Sequence, residues 1–363
     1  MSKELDWYQA SVKAATLGDG RMAGEVGHDV RLAALDFVDT LEQTKHEDVF
    51  RFAYPSLDAI VGGAAPGAAT FLYARTGNGK TTFVTNVMSD ELLAGRGVTV
   101  IPTESTPREV VGKWACLLLN ERYGYWASYD AKRDVAEGRL SRDEYDRRFG
   151  LIRDEAGRLQ EAFGTGQLNI EGALHIDANV VKRAFYKAKQ LGHGLVIIDH
   201  IDLIRPDPKS RSGSKYDASV DAVDTLLDLL RETRLNALVC SQSDAAMVKG
   251  TVIQQYDPPT LGNAYNGQHK NHAATHVLGL FRPRLPNLSV ELMREVNERQ
   301  RPAIDALQPN RMGIVKNKDR NYGDDGRRCI LALENGKLRE LTEDEKRDDE
   351  ASRHAIHTGG ALR

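Results

Sequence analysis

The sequence has few cysteines, and their placement excludes several kinds of site. Cys116, Cys240 and Cys329 are the only three in 363 residues, and they lie too far apart to form a C-x-x-C pair. This argues against a disulfide framework or a cysteine-ligated zinc site and fits a reducing cytosol. The ten histidines show no metal-ligand spacing such as H-E-x-x-H, so no zinc is expected.

The sequence also lacks a long apolar run and a basic excess. Its longest uncharged apolar stretch, residues 59–74, is too short and too broken by glycine and proline to span a membrane. The opening MSKELDWYQ lacks the apolar core of a signal peptide. The net charge of −3 requires any nucleic-acid binding to use a local basic patch. We therefore expect a cytoplasmic protein without membrane contact.

Apolar strands alternate with helices along most of the chain. The strand-like runs are TFLYA, GVTVIPTE, GLVIID, ALVCSQ, HVLGLF and RMGIVKNK. Such alternation requires crossover connections and predicts an α/β fold with a mostly parallel, twisted sheet flanked by helices. Residues 106–165 read as a helical insert, in which Ser141 and Glu144 could form a capping box.

The pattern predicts three parts. Residues 1–48 form an N-terminal segment with an amphipathic helix at 29–45, and residues 49–342 form the α/β domain. Residues 343–363 are charged and then glycine-rich, so we expect a mobile tail.

A phosphate loop is predicted between the first apolar strand and the helix after it, in ARTGNGKTTF. Backbone N–H groups of such a loop converge on phosphate oxygens at a helix N-terminus, and the lysine adds charge. Alanine replaces the usual first glycine, which is tolerated at a strand end whose backbone is not left-handed. We expect ATP and Mg²⁺ as cofactors, with these nucleotide contacts: Ala74, Arg75, Thr76, Gly77, Asn78, Gly79, Lys80, Thr81 and Thr82.

A magnesium site needs a second anchor beside the hydroxyl of Thr81. Asp199 ends the apolar strand of GLVIIDHIDLI, where a Walker B acid would lie. Alternatively it is an ordinary strand-end aspartate. Asp202 is a weaker candidate for the same role and is more readily explained as structural.

Two further strand ends carry candidate catalytic groups. Glu104 follows VTVIPT, in a strand that we expect beside the first strand, and it could orient or deprotonate the attacking water. Gln242 ends ALVCSQ, where its amide could sense the γ-phosphate. The alternative for each is a strand-end side chain without a role in catalysis.

In this order the motifs resemble the motor domain of DnaB-type replicative helicases, which has a RecA-like fold. The resemblance rests on ARTGNGKTTF, TEST, GRLSRDEYDRR, LVIIDHIDLI, LVCSQ and KNKDRN and spans roughly residues 30–340. That family often has alanine at the first loop position. Its N-terminal collar domain has no counterpart here, so we expect a phage-type member acting in the cytosol of a bacterial or phage-infected cell.

The resemblance implies an assembly. Lys318 and Arg320 match the family's K-x-R pair, which reaches the ATP of the neighbouring subunit as an arginine finger and its companion. The helix at 29–45 resembles the linker helix that docks on the adjacent subunit. We therefore expect a homohexameric ring, with primase or a helicase loader as further partners. The resemblance also suggests that Tyr54 and Pro55 hold the adenine.

The same resemblance implies that the protein translocates on single-stranded DNA and unwinds forked DNA. Two long loops, at 205–217 and 243–276, carry the candidate DNA contacts, although such loops can equally be disordered. These contacts are Arg205, Lys209, Arg211, Lys215 and Lys249.

Departures from the family keep other functions open. His200-Ile201-Asp202 replaces Tyr-Leu-Gln, and Ser243-Asp244-Ala245 replaces Leu-Asn-Arg. One alternative is a RecA-like recombinase or recombination mediator, against which the helical insert argues. The other is a regulatory or assembly ATPase that does not unwind DNA.

Overall fold

Within the described residues, nine strands form one sheet in the order β3-β2-β4-β5-β1-β6-β7-β8-β9. The computed structural model describes residues 49–172, 176–205, 215–243, 259, 261, 267–283, 310–319 and 327–348. The strands are β1 (Ala69–Ala74), β2 (Val98–Pro102), β3 (Leu168–Ile170), β4 (Leu195–Asp199), β5 (Asn236–Gln242), β6 (His276–Phe281), β7 (Arg311–Asp319), β8 (Arg328–Glu334) and β9 (Lys337–Arg339).

The sheet is parallel from β3 to β6 and antiparallel from β6 to β9. The helices are α1 (Pro55–Val61), α2 (Lys80–Leu93), α3 (Pro107–Leu118), α4 (Tyr123–Ala127), α5 (Asp130–Ala136), α6 (Arg142–Gly164), α7 (Ala178–Leu191), α8 (Lys215–Thr233) and α9 (Gly267–Ala273). A short 3₁₀ turn, Ile201–Leu203, follows β4.

Alternate residues of β1 enter two different cores, because side chains of a strand point to opposite faces of its sheet. Leu72 packs in the core that contains Phe83 of α2. Phe71 packs in the core that contains Phe185 of α7 and Leu226 of α8. All six residues of β1 are buried, which explains why the strand reads as an unbroken apolar run. The predicted α/β fold with helices on both faces is confirmed.

Residues 106–165, which the sequence predicted to be helical, contain α3 to α6. Helix α3 begins with a capping box: the Thr106 hydroxyl accepts the Glu109 N–H, and the Glu109 carboxylate accepts the Thr106 N–H. At the start of α6, the Ser141 hydroxyl accepts the Glu144 N–H at 3.2 Å. These local signals are readable in the sequence because each involves residues three apart.

One expectation about the sheet is wrong. Strand β2, which leads to Glu104, is not beside β1, because β4 and β5 lie between them. Alternation of strands and helices fixes the parallel direction of the strands, but a crossover helix can carry the chain past several neighbours. Strand order therefore does not follow from that alternation.

Two predicted segments lie partly or wholly outside the described residues. The helix expected at 29–45 lies outside them. The expected mobile tail starts with a helix at 343–348, in which Glu345 pairs with Arg339 at 2.7 Å and accepts the Thr342 N–H at 2.8 Å. In the part of the chain that is described, no helix combines the length and apolar character needed to cross a membrane.

Candidate nucleotide-binding site

The loop between β1 and α2 has the backbone path of a phosphate loop. Gly77 and Gly79 adopt φ values of 82° and 98°, in the left-handed region that glycine tolerates best. Ala74 is the last residue of extended β1, which is why alanine is accommodated there. Lys80 opens α2, and its ammonium donates to the Ala74 carbonyl at 3.1 Å. The lysine is therefore held over the loop at the helix N-terminus, where an anion is favoured.

Asp199 ends β4 as a buried carboxylate, only 5% exposed. Burial raises the pKa of Asp199, against the lowering effects of the Thr81 hydroxyl and of Lys80. Its Oδ1 has no hydrogen-bond partner within the described residues. A buried carboxylate oxygen without a hydrogen bond lowers the stability of the fold unless a bound ligand contacts it. Mg²⁺ prefers oxygen ligands, so Asp199 and Thr81 together fit the predicted magnesium site.

Glu104 reaches this site although its strand is not beside β1. Strand β2 pairs with β4 so that Pro102 lies opposite Asp199, and Glu104 follows two residues later. Its side chain is 55% exposed, and its Oε1 lies 3.1 Å from His200 Nε2. The carboxylate is therefore accessible to solvent and hydrogen-bonded to His200 through one oxygen. This geometry suits a group that orients water.

Gln242 touches the phosphate loop directly. Strand β5 pairs with β1 so that Gln242 lies opposite Ala74. Its side-chain amide donates to the Thr76 hydroxyl at 2.5 Å. A change in the loop on nucleotide binding would therefore reach β5 through one hydrogen bond, which is compatible with the predicted sensor position.

Behind these groups lies a buried polar network that the sequence did not reveal. Asp202, with a side chain 5% exposed, contacts His200, the Lys270 ammonium and the backbone N–H of Gln242. Burial alone would raise the pKa of Asp202, but His200 and Lys270 hold it below its usual range. Burial alone would likewise lower the pKa of His200, but contacts with Asp202 and Glu104 raise it. His200 was visible in the sequence only as a departure from the family pattern. Asp202 was also a weaker candidate for the magnesium site, and Lys270 was noted only as a basic residue of the candidate DNA loop at 243–276.

The predicted neighbour-reaching pair is described only in part. Lys318, at the end of β7, is half-buried, and its ammonium donates to the carbonyls of Asn271 and of Ala274, the latter at 2.7 Å. Burial lowers the pKa of Lys318. Lysine at a helix C-terminus compensates unpaired carbonyls, so Lys318 is engaged within its own chain. Arg320 lies outside the described residues.

The predicted DNA contacts are mostly outside the described residues as well. Arg205 is exposed just beyond the turn that follows β4. Lys215 begins α8, although its side chain lies outside the description, and Lys209, Arg211 and Lys249 lie outside it entirely.

A cleft of 610 Å³ opens beside the phosphate loop and is lined in part by Thr81 and Thr82. This volume is in the range of small-molecule sites. Its other principal lining residues are Lys113, Tyr123, Arg282, Asn310, Asn335 and Gly336. Of the two residues suggested to hold the adenine, Tyr54 does not fit, because it is 5% exposed and packs in the core that contains Phe83 of α2, whereas Pro55 is exposed. The cleft residues come from five separate segments of the chain, so no local motif could have identified them.

Comparison with models of known protein families identifies the family of the chain. The family model of the DnaB-like helicase C-terminal domain matches residues 51–251, which include the phosphate loop, Glu104, Asp199 and Gln242. The chain belongs to this family. The predicted RecA-like fold and the resemblance to DnaB-type helicases are therefore confirmed.

Solved structures agree with the fold of this DnaB-family chain. The structure of a DnaB-like replicative helicase, described with its interactions with primase, aligns over 88% of this chain and 69% of its own, with TM-score 0.62 and 16% identity. A solved ATPase domain aligns over 87% of this chain and 100% of its own, with TM-score 0.63 and 16% identity. No curated protein matches the sequence.

Proposed function

We propose that the chain is the ATP-hydrolysing motor of a ring-forming DNA helicase, which translocates on single-stranded DNA and unwinds duplex during replication. The observation that carries the proposal is the convergence of four strand ends. The ends of β1, β4, β2 and β5 bring Lys80, Asp199, Glu104 and Gln242 to one edge of the sheet, around the phosphate loop. Membership of the DnaB-like family supports the choice of substrate.

The loop and α2 bind the triphosphate in this proposal. Backbone N–H groups at the start of α2 and the ammonium of Lys80 neutralise phosphate charge. Thr81 and Asp199 would hold Mg²⁺, which supplies further charge stabilisation at the transferred phosphoryl group when bound. The cleft beside Thr82 is the place for the nucleoside.

Glu104 and Gln242 act at the γ-phosphate end. Glu104 orients the attacking water and accepts its proton, a role for which its exposed, singly anchored carboxylate is suited. Gln242 responds to the conformation of the phosphate loop through its hydrogen bond to Thr76 and transmits the change to the segment that follows β5. That chain carries one of the two candidate DNA loops, so hydrolysis and movement on DNA are coupled there.

The remaining parts of the proposal concern assembly. Arg320 reaches the nucleotide of a neighbouring subunit in a homohexameric ring, and Lys318 would act as its companion only after leaving the carbonyls of Asn271 and Ala274. Arg205, Lys209, Arg211, Lys215 and Lys249 of each subunit line the channel for single-stranded DNA. Primase or a helicase loader are candidate protein partners.

ATP hydrolysis with and without single-stranded DNA tests this function. We expect DNA to stimulate the wild-type rate. Lys80→Ala should lower the stimulated rate by at least about 100-fold, because one charged phosphate ligand is lost. Arg320→Ala should lower it by about 10³-fold or more, as loss of an arginine finger does.

Lys182→Ala is the matched control, because Lys182 is an exposed lysine of α7, a helix that contributes no residue to the candidate site. It should keep the wild-type rate. A wild-type rate that DNA does not change would contradict the DNA-dependent motor, and full stimulated activity in Arg320→Ala would contradict the shared active site.

A further inference from the structure

Three buried residues connect Glu104 to helix α9, and the proposed function gives them no task. They are His200, Asp202 and Lys270, with side chains 3%, 5% and 1% exposed. His200 lies between two carboxylates: its Nε2 is 3.1 Å from Glu104 Oε1, and its Nδ1 is 3.2 Å from Asp202 Oδ2. A carboxylate can only accept, so Nε2 donates to Glu104, whereas Nδ1 lies at ion-pair distance from Asp202 without the geometry of a hydrogen bond.

The backbone of His200 is held by hydrogen bonds between the segments that follow β2 and β4, which restricts the position of the ring. The His200 N–H donates to the Thr103 hydroxyl at 2.6 Å, and that hydroxyl donates to the His200 carbonyl at 3.0 Å. The Thr103 N–H donates to the Asp199 carbonyl at 2.7 Å. Glu104 follows Thr103 directly, so the same contacts fix the backbone on both sides of the Glu104–His200 hydrogen bond.

Asp202 lies on the other side of the His200 ring and also accepts a hydrogen bond from the backbone of β5. Its Oδ2 accepts the Gln242 N–H at 2.6 Å. Its Oδ1 contacts the Lys270 ammonium, and Lys270 in turn donates to the Ser241 hydroxyl at 3.1 Å. Burial of a carboxylate and an ammonium is costly unless both are paired and hydrogen-bonded, and here they are.

We propose that His200 is a positioning residue for hydrolysis, which fixes the Glu104 carboxylate and ties it through Asp202 to Gln242 and α9. The inference rests on the proposed role of Glu104. At 55% exposure, Glu104 would otherwise sample several rotamers, and a small misplacement of a catalytic group costs rate. The buried carboxylate of Asp202 then contacts both His200, which positions Glu104, and the backbone N–H of Gln242, the proposed sensor.

The position of His200 predicts an effect on turnover and little effect on nucleotide binding, since its side chain is hydrogen-bonded to Glu104 and, among the described residues, forms no hydrogen bond with Lys80, Thr81 or Thr76. His200→Leu should lower kcat by about 10- to 100-fold, as loss of a supporting hydrogen bond to a functional group does. The KM for ATP and the affinity for a fluorescent ATP analogue should stay within about threefold of wild type. His200→Gln should recover part of kcat, because its amide can still donate to Glu104.

A double-mutant cycle with Glu104→Gln tests the route of the effect. If His200 acts through Glu104, His200→Leu should cause no further loss of kcat in the Glu104→Gln background. Tyr186→Phe is the matched control, because it removes an exposed side-chain hydrogen bond to a carboxylate, 2.8 Å to Glu232, between α7 and α8. It should leave basal ATPase activity unchanged.

Losses that multiply in the double variant, or full kcat in His200→Leu, would overturn the inference while leaving the proposed function intact. If His200→Leu fails to bind the ATP analogue because it does not fold, His200→Gln and its double variant decide in the same way. A wild-type protein without ATPase activity, or Glu104→Gln at the wild-type rate, would overturn the proposed function and this inference with it.

Discussion

At the residue scale, the proposed chemistry depends most on the buried carboxylate of Asp199. Its Oδ1 has no partner within the described residues, and burial raises its pKa. A raised folded-state pKa means that the ionised form opposes folding: stability is full below the unfolded pKa and is lost as the pH rises through the folded pKa. At neutral pH without a cation, Asp199 therefore destabilises the fold, and a bound Mg²⁺ would relieve this cost.

Asp199→Asn should consequently lose activity without losing stability. We expect the ATPase rate to fall about 100-fold, since charge stabilisation of several kcal/mol depends on the metal site. In EDTA the variant should melt at or above the wild-type Tm, because the buried charge is gone. Magnesium should raise the wild-type Tm in the presence of ATP and leave that of the variant unchanged.

Rate measurements and thermal melts over a magnesium titration check this prediction. Asp228→Asn, an exposed aspartate of α8, is the control and should behave as wild type. An Asp199→Asn protein that retains magnesium-dependent ATPase activity would remove Asp199 from the metal site.

The sequence was informative about residues whose function follows from a local pattern. The glycines of the phosphate loop, Lys80 and Asp199 lie where a strand, a turn and a helix predict them, and the structure brings them together. The contacts that join His200, Asp202 and Lys270 could not be predicted in that way, since Lys270 and Asp202 are 68 residues apart in the chain. Such a pairing depends on strand order, which local patterns do not contain.

At the element scale, the start of α3 determines how the chain leaves Glu104. The capping box of Thr106 and Glu109 satisfies N–H groups at that helix end, with distances of 3.2 Å and 2.7 Å. Helix α3 also places Lys113 at the cleft beside the phosphate loop. Loss of the cap would loosen both the helix start and the segment that carries the proposed base.

Thr106→Ala should lower the free energy of unfolding by about 1 kcal/mol, the usual cost of an N-cap hydroxyl. Thr106→Ser keeps the hydroxyl and should stay close to wild type. Urea denaturation of the three proteins measures the difference. Equal midpoints for Thr106→Ala and wild type would show that the cap contributes nothing to stability.

The order of the strands in the sheet was predicted incorrectly from the sequence. The parallel direction of β1 to β6 followed from alternating strands and helices, but the position of β2 did not. Glu104 nevertheless reaches the site, because β2 pairs with the strand that ends in Asp199. Glu104 is therefore brought close to Asp199 through β4, and the expectation that β2 lies beside β1 was wrong.

At the scale of the whole molecule, the proposal requires more than one chain. The sequence carries a net charge of −3, so a single chain offers DNA no general electrostatic attraction. Repetition of a small basic patch around a ring would concentrate positive charge in a channel. Contacts of that kind release counterions, so DNA affinity should fall steeply with salt.

Strand separation on forked DNA tests the central claim most directly, since recombinases and assembly ATPases can also hydrolyse ATP. The measurement follows release of a labelled strand from a fork with ATP and Mg²⁺, for wild type and for Lys80→Ala. We predict that wild type separates the strands only with hydrolysable ATP and that Lys80→Ala does not. Wild-type protein that hydrolyses ATP on the fork and leaves the strands paired would contradict the claim.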